Sequence, residues 1–131
     1  MPENVRGSGR GLICLAAVCG FVGVGLGALG GHGLESRLEE AGRIDAWQTG
    51  TRYLLIHAVA CLSVALAVDR GRIRRVAGIL FGVGALVFGC SLYLLCLTGI
   101  TAFGAVTPVG GLLLLAGWLT LVIPPRSRVN P

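Results

Sequence analysis

Three stretches of this chain carry no charged side chain: residues 11–34, 53–68 and 76–125, of 24, 16 and 50 residues. A spanning helix needs about 20 apolar residues, at 1.5 Å rise each, to cross about 30 Å of hydrocarbon. The first stretch holds one span and the last holds two with a turn. The middle one is short, so its helix must begin inside the preceding charged segment, near Ile44. The expectation is an all-α integral membrane four-helix bundle. Its helices fall at about 11–31, 46–68, 76–97 and 108–123 within a transmembrane domain of 11–123, with tails at 1–10 and 124–131. Composition agrees: 13% of residues are charged, against about 25% in soluble domains. With 54% hydrophobic residues and a mean hydropathy of +0.82, an ordinary soluble domain, a disordered chain and a small disulfide-stapled fold are all excluded.

The turn inside the long stretch is placed at Thr98-Gly99-Ile100-Thr101-Ala102-Phe103-Gly104. Thr107-Pro108 then reads as an N-cap followed by proline in the first helical position, where a missing N–H costs nothing. Pro124-Pro125 ends the last helix, because proline cannot continue the hydrogen-bond ladder. Arginine sets the orientation, since cytoplasmic loops retain positive charge. Four spans put Arg6, Arg10, Arg70, Arg72, Arg74, Arg75, Arg126 and Arg128 on one side. The other side holds Arg37, Arg43 and Arg52 among acids, so both termini are expected in the cytoplasm and the protein in the inner (plasma) membrane. Residues 1–30 are read as a span, not a signal peptide, because the apolar run exceeds an h-region and Ala28-Leu29-Gly30 makes a poor cleavage site. The net charge of +5 follows from this topology, with anionic lipid near the Arg70–Arg75 loop. Nucleic acid is excluded as a partner, for no basic patch is interleaved with aromatics.

Glycine lines the first helix. Gly23, Gly27 and Gly31 recur every four residues, with Gly20 and Ala16 repeating the spacing one turn earlier, and Gly78, Gly82 and Gly89 extend the pattern to the third helix. Small residues so spaced let two helices approach closely where lipid offers no hydrophobic drive. These seven glycines are therefore expected to form packing seams, within the bundle or in an oligomer. Leu34, Leu38, Ala41, Ile44 and Trp47 form one apolar stripe against a charged face. That predicts a short interfacial amphipathic helix between helices 1 and 2, with Trp47 as its headgroup anchor and Gly42 as a point where it breaks. A connector folded over the bundle mouth is the alternative.

Few side chains offer chemistry. His32 and His57 are the only histidines; both are placed near the outer leaflet, where two neutral rings would hold haem or a metal ion. The structural alternative has His32 capping carbonyls and His57 hydrogen-bonded inside the bundle. Cys14, Cys19, Cys61, Cys90 and Cys96 form no Cys-x-x-Cys and lie within spans, so they read as small apolar residues. A polar cluster of Tyr53, His57, Ser91, Tyr93 and Thr107 either hydrogen-bonds across helices or lines a small pocket. No nucleophile–base pair, phosphate loop or carboxylate pair is present, and no catalytic residue is assigned.

Four motifs occur in a fixed order: Leu26-Gly27-Ala28-Leu29-Gly30-Gly31-His32-Gly33-Leu34; Trp47-Gln48-Thr49-Gly50 with Tyr53 and His57; Gly89-Cys90-Ser91-Leu92-Tyr93; and Thr107-Pro108-Val109-Gly110-Gly111 through Leu115-Ala116-Gly117-Trp118-Leu119. In these, over about residues 12–123, the chain resembles the domain of unknown function 423 family, related to eukaryotic transmembrane protein 256. Against the family pattern, Gly31 replaces Ala, Leu54 replaces a Gln after Tyr53, and Gly89-Cys90 replaces a Ser-Gly-like pair. The resemblance implies a small multi-pass inner-membrane protein and brings no activity with it. The expected function is a non-enzymatic accessory or assembly partner in a membrane complex, whose partners are the lipid bilayer and another membrane protein or a second copy. No cofactor is expected. The alternatives are an oligomeric small-solute or ion conduit, and a haem- or metal-binding redox protein using His32 and His57.

Overall fold

The computed structural model describes residues 3–67 and 72–124. It contains helices α1 (Glu3–His32), α2 (Glu35–Glu40), α3 (Ile44–Leu66), α4 (Arg72–Thr98) and α5 (Ala102–Val122). Gly9–His32 of α1 and the whole of α3, α4 and α5 are long and apolar enough to cross a membrane. The expected all-helical fold with four spans is what the chain adopts. Asp69, Arg70 and the tail from Pro125 onward lie outside the described residues.

Three boundaries differ from expectation. Helix α1 starts at Glu3, so most of the segment read as a tail is helical. The stripe over 34–47 is not one helix. Gly42, at φ 64°, closes α2: its N–H bonds to Glu39 O (2.9 Å) and that of Arg43 to Leu38 O (2.8 Å), the paired pattern of a Schellman C-cap. Leu38 is buried in the core and Leu34 packs against it, while Ile44–Trp47 is the first turn of α3. Thus the connector folds its apolar residues onto the bundle mouth. Finally, α5 begins at Ala102 instead of Pro108, and Thr107 is no N-cap. Nothing between Ala102 and Val106 interrupts a helix, and apolar surroundings compel backbone groups to bond within the segment. Proline is then carried inside the helix, as membrane helices tolerate.

Helix α4 is the centre. It packs against α1, α3 and α5; α1 also packs against α3, and α5 reaches the bundle mainly through α4. Chain-adjacent spans run antiparallel and meet across glycine. A Cβ on Gly23 would lie 2.7 Å from Leu55 and one on Gly27 2.8 Å from Thr51, and one on Gly30 would overlap the Trp47 indole. Gly78 and Gly82 receive Leu12 and Leu15 of α1; Gly50 and Gly89 bring the α3 and α4 backbones together; Gly84, Gly110 and Gly117 do so for α4 and α5. Trp47, Leu54, Cys19 and Cys61 are buried among α1, α3 and α4, and Phe81 is buried toward α5, against Gly117 and Trp118.

Three of the cysteines do more than fill volume. Cys19 donates to Gly82 O (3.5 Å), Cys61 to Gly78 O (3.3 Å) and Leu12 O (3.6 Å), and Cys96 to Arg43 O (3.6 Å). Each ties one helix to the backbone of another through a weak S–H donor. All five thiols are free.

Candidate functional site

Because α5 leans on α4, a groove of about 510 Å³ remains between α3 and α5. Its floor is Phe88 of α4; Tyr53 and His57 form one wall, and Pro108, Gly111, Leu112, Leu114, Leu115 and Trp118 the other. Helical spacing puts Tyr53 and His57 on one face of α3, one turn apart. On α5, Gly111 and Gly110 keep the upper wall thin: a Cβ on Gly110 would lie 2.5 Å from the Phe88 backbone nitrogen.

An aromatic chain runs along this groove. Tyr53 stacks on Phe88 with centroids 4.6 Å apart, and His57 lies 5.8 Å from Phe81 and 6.1 Å from Trp118, which is 4.9 Å from Phe81. His57 is only 6% exposed, yet Tyr53 and Trp118 keep 42% and 48% of their surfaces open. Both ring nitrogens of His57 are engaged. Trp118 Nε1–H donates to Nε2 at 3.1 Å, which requires Nε2 to be unprotonated; Nδ1–H then donates to Tyr53 O at 2.8 Å. Indole has no acceptor, so these two bonds specify the neutral Nδ1–H tautomer. This pair is also the direct polar tie between α3 and α5.

The expected polar cluster is divided among three places. Tyr53 and His57 border the groove. Ser91 donates to Phe88 O (2.9 Å) and meets Thr107 Oγ1 at 2.8 Å, so the Thr107 hydroxyl donates to it. That bond anchors α5 beside Pro108. Tyr93 lies higher, 4.6 Å from the Trp47 ring, with its hydroxyl 2.8 Å from Thr51 Oγ1, which itself donates to Trp47 O (3.1 Å). Trp47 is 1% exposed and donates Nε1–H to Leu26 O at 2.9 Å. The residue expected as an interfacial headgroup anchor is thus an internal tie between α1 and α3.

His32 and His57 do not meet. His32 is exposed at the end of α1, where Gly30 sits beside Trp47. His57 lies ten residues further along α3 than Trp47, about 15 Å at 1.5 Å per residue, level with Phe81 and Trp118 near the opposite ends of α4 and α5. Since its ring nitrogens are already bonded, the pair does not form a two-histidine haem or metal site. Among the described residues, no group of three or more His, Cys, Asp or Glu is placed to hold a metal ion.

The expected seam also shifts. Gly23, Gly27, Gly78, Gly82 and Gly89 are in contact as expected, but Gly20 and Gly31 would meet nothing within 4 Å, and Gly30 takes the place of Gly31. The sequence reading missed Trp118, Phe88 and Arg43. Arg43 donates Nη1–H to Cys96 O at 3.2 Å and lies against Gly99, the φ 74° residue that ends α4. Its guanidinium thereby caps a carbonyl left over in the last turn, with its charge at the negative end of the helix dipole. The hint in the sequence was an arginine next to the start of one span, matched to a glycine that ends another.

Comparison with known proteins gives a consistent result. A family model described as "Protein of unknown function (DUF423)" matches residues 26–111, from the end of α1 into α5. The chain is 39% identical over 112 residues to the UPF0382 membrane protein SH2409 of Staphylococcus haemolyticus, covering 85% of this chain and 91% of that one. It is 36% identical to the UPF0382 membrane protein YwdK of Bacillus subtilis (85% and 92% covered) and 36% identical to the UPF0382 inner membrane protein YgdD of Escherichia coli (87% and 88%). No solved structure matches the chain.

Proposed function

The chain belongs to the DUF423 family of multi-pass membrane proteins, and from that premise we propose that it is a non-enzymatic accessory subunit that receives a transmembrane helix of a partner protein in the α3–α5 groove. The observation that carries this reading is the groove itself. Two aromatic side chains, Tyr53 held by stacking on Phe88 and Trp118 by its bond to His57, stand half open beside it. Rigid aromatic rings next to thin, glycine-bearing backbone suit close packing of another helix. Gly23, Gly27 and Gly30 of α1 and Gly78, Gly82, Gly84 and Gly89 of α4 are already filled from within the chain, whereas the groove is open and lined by fixed aromatic rings. The arginine distribution supports cytoplasmic termini, and the name of the Escherichia coli relative supports the inner membrane.

A photo-crosslinking residue at Leu112, in protein expressed at its native level, tests the proposal. A single polypeptide adduct, lost when Gly111→Phe fills the groove, is expected. Lipid adducts alone, with native mass spectrometry reporting a bare monomer, would overturn it.

A further inference from the structure

A second cavity, of about 290 Å³, opens on the other flank of the molecule, between the end of α1 and the start of α3. Gly27, Gly30 and Gly31 form its floor and Trp47 its back, while Glu35, Gln48, Thr51 and Arg52 supply polar groups. Arg52 is exposed on α3, five residues past Trp47, hence about 7.5 Å further into the span at 1.5 Å per residue. An arginine at that depth reaches back toward the interface and needs an anion there. Glu35 and Arg52 present opposite charges to the same small space.

We infer that this cavity binds the headgroup of a zwitterionic phospholipid bearing a primary ammonium. Arg52 holds the phosphate through charge-assisted N–H bonds, Glu35 accepts from the ammonium, and Gln48 and Thr51 complete the polar lining. A lipid fits better than a soluble zwitterion because the flank below the cavity is apolar and open. Val24 and Val59 are exposed there, and Gly20 has no neighbour within 4 Å of a Cβ, so acyl chains can lie along α1 and α3 beneath the headgroup. This site is separate from the α3–α5 groove and does not depend on the docking proposal.

The test is native mass spectrometry of the full chain, titrated in detergent with dioleoyl phosphatidylethanolamine or dioleoyl phosphatidylglycerol. Wild type should retain phosphatidylethanolamine preferentially, and Arg52→Gln should weaken retention about tenfold. Glu35→Gln should erase the preference for phosphatidylethanolamine over phosphatidylglycerol. Gly31→Leu, whose Cβ meets nothing within 4 Å, should occlude the cavity while leaving the thermal midpoint unchanged. Equal retention of both lipids by wild type, or unchanged retention in Arg52→Gln, would overturn the assignment. Displacement of the lipid by soluble phosphoethanolamine at equal concentration would overturn the lipid as the occupant.

Discussion

Adjacent glycines near the end of α1 should respond to the same substitution with opposite sign. A methyl at Gly30 would enter the indole of Trp47, a side chain that is 1% exposed and bonded through Nε1 to Leu26 O at 2.9 Å. Either the ring moves, giving up that bond and its 4.6 Å packing on Tyr93, or α1 and α3 separate, which loosens Gly23 on Leu55 and Gly27 on Thr51. Overpacking of a filled core costs about 1–3 kcal/mol and a lost hydrogen bond about 1 kcal/mol, so Gly30→Ala should destabilise by about 2–4 kcal/mol. At Gly31 nothing lies within 4 Å of the added methyl. Alanine there removes a flexible residue from a helix and should be neutral or stabilising by up to about 1 kcal/mol. Reversible unfolding in mixed micelles, titrated with dodecyl sulfate and followed by circular dichroism and tryptophan fluorescence, measures both. If Gly31→Ala lost as much stability as Gly30→Ala, or Gly30→Ala were neutral, the Trp47–α1 contact would be wrong.

Three further experiments probe the polar ties. His57→Ala should cost about 1–3 kcal/mol by stranding the Trp118 N–H, and the emission of Trp118 should change, read most directly in a Trp47→Phe background compared with the same background carrying His57. Arg43→Gln should lower stability by about 1 kcal/mol through loss of the Cys96 carbonyl bond and the dipole interaction, with faster amide exchange confined to the last turn of α4. A double-mutant cycle of Ser91→Ala and Thr107→Val should return a coupling of about 0.6 kcal/mol, the usual size for an interhelical hydrogen bond in lipid; zero coupling would remove the bond that anchors α5 beside Pro108.

The four spans were legible because span length and charge exclusion belong to single segments. Arg75 and Arg10 mark where apolar runs begin, whatever the neighbouring helices do. Contacts between helices were legible only in part. Residues four apart advance about 400° at about 3.6 residues per turn, so each step drifts about 40° around the helix. Gly23, Gly27 and Gly31 therefore rotate off the face toward α3, whereas 23, 27 and 30, with steps of four and three, stay on it. The His57–Trp118 bond was invisible for a different reason. It depends on the relative depth of two helices, between residues 61 apart in the chain, and no single-segment pattern carries that register. Pro108 marks a helix start only where water can satisfy a broken turn, and here α5 runs through it. In hydrocarbon the unbroken apolar run from Ala102 prevails, and Ser91 and Thr107 pair at the site.

The polar ties are unevenly distributed, and that bears on which part of the molecule can respond to a partner. Between α1, α3 and α4 most of them end on backbone carbonyls: Trp47 on Leu26, Cys19 on Gly82, Cys61 on Leu12 and Gly78, Arg43 on Cys96, with Thr51–Tyr93 a side-chain pair beside them. A carbonyl acceptor moves only with its helix, so these bonds lock the relative positions of three helices. Helix α5 is held differently: Gly84, Gly110 and Gly117 seat it closely on α4, and its polar ties are two side-chain pairs, Ser91–Thr107 and His57–Trp118. Side-chain pairs yield to a rotamer change, and Trp118 is already half open to the groove. The proposed partner helix, entering that groove, would move the C-terminal half of α5 away from α3 by breaking the indole–imidazole bond, while the glycine seam with α4 stays seated. The His57→Ala variant isolates this step: it should loosen α5, raising amide exchange through its C-terminal half, while α1, α3 and α4 keep their protection. Uniform loss of protection in all four spans would instead make His57 a keystone of the whole bundle and remove the basis for treating α5 as the responsive element.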